Sequence, residues 1–371
     1  MTHITWSKFG GARQAATFIS AAAALCLGLT SGALAADDLI DPSVAKGSLS
    51  GKRVLVSPYW LDTFGTANAS WITRLLEPYG IKVDAENPNG TASKQADEIQ
   101  SAIANHNYDV IVWQPVDSET AVATIKKIQD EKIPQVLQFG DANQGGLNYS
   151  VANIDWKENF VEPGRDAAAF VKAHSAMGPV KVAWMGPYPN VRICDDRFAG
   201  FLEGVKSVAP DAEVVFQGGA TSQEQARSKM TDFLTRDIAF NVFAGCGGNE
   251  SLGGIAAINA AGLGGATDKV PQHVYMVSVN ASPPELEMLW NKESSLMRSG
   301  LFGPKSAAEV DAKMVLNLLT GKAAYNQSVV GPLTMTWLNP DCDKGRAAAV
   351  DEFKGVEGFT VPDCSFKYKG E

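Results

Sequence analysis

Tyr59, Trp60, Phe64 and Trp71 crowd into the stretch VSPYWLDTFGTANASW, directly after the apolar run RVLVS. Aromatics of this size bury roughly 150–250 Å² each and usually belong in a core. Here they stand among Pro58, Gly65 and short polar residues, the composition of a strand-to-helix turn. Flat apolar surface in such a turn suits stacking on a ligand rather than bond-breaking chemistry. Residues for bond-breaking are sparse. His3, His106, His174 and His273 lack metal-ligand spacing and fall at helix ends, at a strand start or in the leader. There is no Gly-x-Ser-x-Gly elbow and no Gly-rich phosphate loop with a lysine; GLGGAT near residue 264 follows a helix and reads as a turn. An exported α/β enzyme would have to rely on Cys194 and Cys246 as thiol and partner, for which a structural bridge is the stronger reading. No metal and no cofactor are expected.

The chain has 371 residues, 45% hydrophobic and 20% charged, ordinary globular composition with length for two domains. Lys8 and Arg13 precede AATFISAAAALCLGLTSGALAA, which ends in the small-residue pattern Ala33-Leu34-Ala35. That predicts a secretory signal peptide over 1–35, cut after Ala35 or Ala36, and an exported, periplasmic protein. A membrane anchor is the rival reading, but the apolar core is short. Cys26 lacks a lipid-attachment context, and no later stretch is apolar enough to span a bilayer. Cleavage removes two basic residues, leaving 30 basic against 41 acidic and moving the formal charge from −9 to −11. An acidic chain without basic runs argues against nucleic acid or an anionic membrane as partner. Four cysteines remain, and an oxidising compartment favours pairing. Cys342 and Cys364 bracket a Gly/Pro-containing tail, where a bridge would add about 3 kcal/mol. Cys194–Cys246 stays open between a second bridge and two free thiols.

From Lys52 onward strand, turn and helix alternate. RVLVS, IKVDAE, YDVIVW and IPQVLQF are short continuous apolar runs separated by stretches with apolar residues at three-to-four spacing. After a break near GDANQGGLNYSVANID the rhythm restarts with VKVAWM, AEVVFQ, FNVFAG and HVYMVSV. Strands buried on both faces give this pattern, so the expected fold class is α/β: two doubly wound parallel-sheet lobes joined by a hinge. The first lobe is expected over 52–153 with a return at about 302–326. The second is expected over 154–300 with a return at about 327–340 through the strand LTMTW, and a tail follows over 341–371. The Gly-rich segments 140–153 and 299–305 are the candidate crossings. Ligands of open α/β sheets bind outside the carboxyl ends of the strands, and two such edges face to face make a cleft.

The ordered set RVLVSPYWLDTF, LLEPYGIKVDAEN, QPVDSETAVATIKKIQDEKIPQV, DDRFAGF and FAGCGGNESLGGIAAINAAG resembles the type I periplasmic sugar-binding proteins, the ribose-binding-like group, over about residues 52–321. The resemblance implies capture of a monosaccharide or sugar alcohol between two closing lobes, delivered by a monomer to the permease of an ABC importer. In that family aromatics stack on sugar faces while Asp, Asn, Gln and Arg hydrogen-bond the hydroxyls. A pyranose needs such a site on chemical grounds too, with flat walls for its C–H faces and polar groups round its rim. By position the resemblance assigns Phe64 to stacking, with Trp60 beside it. It places Gln114 at the end of the third strand, Arg197 in DDRFAGF and Asn280 in VSVNASP at polar ligand positions. Packing under the helix competes for Phe64 and Trp60, and a salt bridge with Asp195 or Asp196 competes for Arg197. Trp71 reads as core.

The chain also departs from the family. An Asp-Arg pair after the fourth strand becomes Phe139-Gly140-Asp141, so Asp141 is the candidate for that carboxylate role. An Asn-Asp pair is pushed back to Asn249-Glu250, which puts Asn249 forward, and Asn280 stands where Asp is usual. Tyr188 in GPYPN and Trp156 past the first crossing join the candidate wall, with hinge packing the alternative for Trp156. A cage of Trp60, Phe64, Trp156 and Tyr188 would also suit a methylated amine read out by a sensor kinase. Polyols are favoured by the number of hydrogen-bonding groups and by an arginine in the cleft.

Overall fold

Val54, Leu55 and Val56 explain the architecture in miniature. Successive strand residues face opposite sides of a sheet, and all three are at most 1% exposed, with Val54 and Val56 in one apolar cluster and Leu55 in another. A strand that is apolar on both faces needs helices on both faces. Burying each such side chain is worth about 1.5–3 kcal/mol. The computed structural model describes residues 41–368, apart from 106, 141–143 and 187–190.

The first lobe carries strands β1 (Arg53–Ser57), β2 (Lys82–Ala85), β3 (Val110–Trp113), β4 (Gln135–Gln138) and β5 (Ser150–Asn153), with helices α1 (Thr63–Leu76), α2 (Ala92–Ala104) and α3 (Ser118–Asp130) between them. Helix α4 (Trp156–Ala173) opens the second lobe. There β6 (Lys181–Gly186), α5 (Arg192–Val208), β7 (Glu213–Gly219), α6 (Gln223–Leu234), β8 (Val242–Gly245) and α7 (Gly248–Ala260) repeat the alternation. A hairpin of β9 (Ala266–Thr267) and β10 (Val270–Pro271) leads to β11 (Tyr275–Val279), α8 (Pro283–Leu289) and β12 (Leu296–Phe302). The chain closes with α9 (Pro304–Leu319), β13 (Val329–Pro332), β14 (Met335–Leu338) and α10 (Cys342–Phe353).

The two six-stranded sheets run in the orders β13-β5-β4-β3-β1-β2 and β14-β12-β11-β8-β6-β7. The fold is α/β with two parallel-sheet lobes. Every pairing in the first sheet is parallel, and only β14 runs antiparallel in the second.

Two boundaries differ from the sequence expectation. Residues 150–153, read as part of a crossing segment, form β5. The stretch 327–340, read wholly as a return into the second lobe, is divided: Val329–Pro332 pairs with β5 in the first sheet, and only Met335–Leu338 joins the second. The chain thus crosses between sheets at 153–156, 302–304 and 332–335.

Helix α10 begins on one lobe and ends on the other. Near its start Gly345 lies against Leu338 and Trp290. At its end Trp71 Nε1 donates to the Glu352 carbonyl at 2.8 Å. The Glu352 carboxylate accepts from the backbone N–H groups of Lys305 at 2.8 Å and Ser306 at 3.0 Å. It thereby satisfies open donors in the first turn of α9. No described helix is long and apolar enough to cross a membrane.

Candidate functional site

The carboxyl ends of both sheets face a common cavity of about 170 Å³, a space on the scale of one small ligand. The first lobe brings Trp60 from the turn after β1, Phe64 from the first turn of α1, Gln114 from the end of β3 and Phe139 from the end of β4. The second brings Arg197 from α5, Asn249 and Glu250 from the start of α7, and Asn280 from the end of β11. The crossings add Trp156 and Phe302. Of the nine residues singled out in the sequence, seven therefore line one cavity. Asp141 and Tyr188 lie outside the described residues.

Local rules place these side chains. Asp62 caps α1 by accepting from Gly65 N at 2.9 Å, which turns the chain just where the aromatics sit. The Trp60 ring rests on Gly90, where φ is +65° and a Cβ would come within 2.7 Å of the ring. Only glycine satisfies both conditions. Gln95 holds the neighbouring loop, donating to the Gln114 carbonyl at 2.8 Å and accepting from Val116 N at 3.0 Å.

The aromatic wall is a packed wedge. Phe302 stands 5.0 Å from Phe64, 4.9 Å from Phe139 and 5.3 Å from Trp156, centroid to centroid. Phe139 and Trp156 are 5.7 Å apart. Phe139, Trp156 and Phe302 are buried and Phe64 is half-buried. Trp156 therefore combines the two readings left open for it, packing at the crossing and lining the cavity. Trp71, read as core, is 5% exposed.

Phe139 and Phe302 were missed as wall residues because a phenylalanine ending an apolar run looks like more core. The signal for Phe139 is its backbone, at φ +61°. Asn280, at φ +93°, shares that feature.

Arg197 Nη1 donates to the Cys246 carbonyl at 2.6 Å. Its guanidinium stacks 3.9 Å from the centre of Trp156. The competing partner Asp196 lies 3.8 Å from Arg192 instead. Burial pushes the Arg197 pKa down to about 9, which leaves it a cation at neutral pH. Burial raises Glu250 to about 7, against the opposing pull of Arg197. Asp62 is also raised by burial, against backbone N–H groups that favour its charge. The wall thus combines one cation with two carboxyls whose charged forms burial disfavours. Asp62 and Glu250 were not among the residues singled out, since an acid just before a helix or in its first turn reads as a capping group. Both cysteine pairs are bridged, with Cα separations of 5.4 Å for Cys194–Cys246 and 5.7 Å for Cys342–Cys364. The first of these lines the cavity.

The profile of the family described as Periplasmic binding protein domain matches residues 55–323. The chain belongs to this family. Among curated periplasmic binding proteins, "ABC transporter periplasmic-binding protein YphF" of Escherichia coli (strain K12) is 24% identical over 181 residues. That match covers 48% of this chain and spans about half of the relative, 54% of its length. Solved periplasmic binding proteins share the whole two-lobed fold. An ABC transporter solute binding protein from Bacillus halodurans C-125 with bound myo-inositol superposes with a TM-score of 0.67 at 17% identity, covering 82% of this chain and 99% of that one. The periplasmic binding protein component of the arabinose ABC transporter from Shewanella sp. ANA-3, bound to alpha and beta-L-arabinofuranose, gives 0.67 at 18% identity, over 84% and 100%.

Proposed function

We propose that this chain is a periplasmic solute-binding protein that captures a monosaccharide or sugar alcohol between its lobes and delivers it to the permease of an ABC importer. It acts as a monomer after loss of residues 1–35, and binding rather than turnover is its task. The observation that carries the reading is the composition of the cavity wall. Apolar ring edges from Phe64, Phe139, Trp156 and Phe302 meet the amides of Gln114, Asn249 and Asn280, with Arg197 set against Asp62 and Glu250. Such a wall is near-neutral overall and rich in both donors and acceptors, which matches a neutral polyhydroxy compound. Related structures holding myo-inositol and L-arabinofuranose support the same class.

The methylated-amine reading loses ground on one contact. The Arg197 guanidinium already occupies the face of Trp156 at 3.9 Å, so a second cation there would meet a like charge. The test is a thermal-shift screen of the mature chain against sugars, polyols, methylated amines and amino acids, followed by calorimetry. A ligand at 100 times its Kd should add about 2.7 kcal/mol. A response to one sugar or polyol supports the proposal; a response only to amines overturns it.

A further inference from the structure

Cys194 and Cys246 are bonded to each other and both stand in the cavity wall. They belong to different segments. Cys194 lies in the first turn of α5, a helix whose N-cap residue, Val191, supplies no side-chain hydrogen bond. Cys246 follows β8 and is held by its N–H to the Met185 carbonyl at 2.8 Å. Arg197 sits three residues beyond Cys194, on the same face of α5. Its Nη1 reaches the Cys246 carbonyl at 2.6 Å, and the Cys246 Sγ lies 3.9 Å from the same nitrogen. A closed ring results, running from α5 through the bridge to Cys246, across one hydrogen bond to Arg197, and back to α5. Trp156 supports its open side by stacking.

We infer that the Cys194–Cys246 bridge is a positioning device for Arg197, setting the distance between the helix that carries the guanidinium and the carbonyl that receives it. The inference rests on the ligand reading proposed above. An arginine side chain has many rotamers, and fixing one before a ligand arrives lowers the ordering cost of binding. A bridge that merely stapled the lobe would raise stability without being tied to the ligand arginine. Here both cysteines and the arginine they hold share one wall, and each side of the ring is short.

The experiment is a double-mutant cycle on ligand affinity. From a panel of myo-inositol, L-arabinose, D-allose and allitol, the probe is the compound that the unmodified chain binds most tightly. Cys194→Ala/Cys246→Ala, which leaves Cys342–Cys364 intact, is expected to bind it about tenfold more weakly. In an Arg197→Ala background the same bridge removal should change affinity by less than about twofold, while in a Gln114→Ala background the full loss should persist. An equal loss with and without Arg197 overturns the inference and leaves the ligand reading standing. Should the alanine pair fail to fold, Cys194→Ser/Cys246→Ala takes its place in the cycle. A ligand-free crystal structure of the bridge-less variant gives a second readout. Arg197 displaced from the Cys246 carbonyl is expected, and Arg197 unmoved overturns the positioning role. If none of the four binds the unmodified chain, the sugar or polyol found by the thermal-shift screen serves as the probe, and the crystal structure of the bridge-less variant still decides whether the bridge holds Arg197.

Discussion

Phe139 and Asn280 are counterparts in the two lobes. Each follows the third strand of its sheet, β4 or β11, and each donates its N–H to the neighbouring strand, Phe139 to Ala152 O at 2.7 Å and Asn280 to Gly300 O at 2.8 Å. Each also turns into positive φ, at 61° and 93°. Such backbone in a non-glycine residue costs on the order of 1–3 kcal/mol and concentrates where function requires a particular side chain. The same device aims a ring into the cavity wall from one lobe and an amide from the other.

Asn280→Gly should relieve that strain. We expect the variant to unfold at no lower urea concentration than the parent yet to bind its ligand at least about tenfold more weakly, through loss of a buried polar contact. Asn280→Ala should lose affinity equally and about 1 kcal/mol of stability besides. Calorimetric titration with unchanged affinity for the glycine variant would remove Asn280 from the ligand set.

Truncating the aromatic wedge should separate core from site. Phe302→Ala removes a ring that touches Phe64, Phe139 and Trp156 and is 4% exposed. A stability loss of about 3–5 kcal/mol in urea unfolding is expected. Phe64 is half-buried, so its alanine variant should lose less stability and proportionally more affinity. The reverse order would assign Phe64 to packing alone.

Stability should fall as pH rises from about 4 to 7. Burial raises Asp311, Glu250 and Glu285 to about 7, well above their usual range near 4. The folded state therefore disfavours their charged forms. Their contribution is fully present below the unfolded pKa and is lost as pH passes through the folded one. Urea midpoints at pH 5 should exceed those at pH 8, by a free energy on the order of a few kcal/mol. Asp311 shares Gln138 Nε2 with Asn68, whose oxygen is 3.0 Å from that nitrogen. Asp311→Asn should flatten part of the profile, and a profile unchanged by it would show that Asp311 does not titrate in this range.

The tail should depend on its bridge. Cys342 and Cys364 are 22 residues apart in the chain, and removing the crosslink as a Cys342→Ala/Cys364→Ala pair should cost about 3 kcal/mol. Equal urea midpoints with and without the bridge would show that the tail is held by its other contacts, among them Arg346 Nε to the Pro362 carbonyl at 2.9 Å.

Much of this fold was legible because strands covered on both faces leave an unmistakable trace, as RVLVS and VKVAWM do. The strands that escaped, SVAN and VVGP, are four residues long and lie at or beside a sheet edge. One contains Gly331 and Pro332, which an edge position tolerates and a sequence pattern penalises. In the candidate site, Trp60 and Phe64 stood out as aromatics just after a recognisable strand, and Arg197 through the resemblance carried by DDRFAGF. Phe139 and Phe302 did not, since only a backbone angle or a crossing distinguishes them from ordinary core. Glu250 escaped because an acid in the first turn of a helix reads as a capping group.

The pairing of β13 with β5 and of β14 with β12 sets the order in which the molecule can be finished during synthesis. Neither sheet is complete until the last part of the chain exists. A polypeptide halted before Val329 would carry two bare strand edges at once, each a template for joining another chain. In the finished chain those edges pass to β13 and β14, four residues each and the first ending in Gly331-Pro332, which are poorer templates for pairing than the strands they cover.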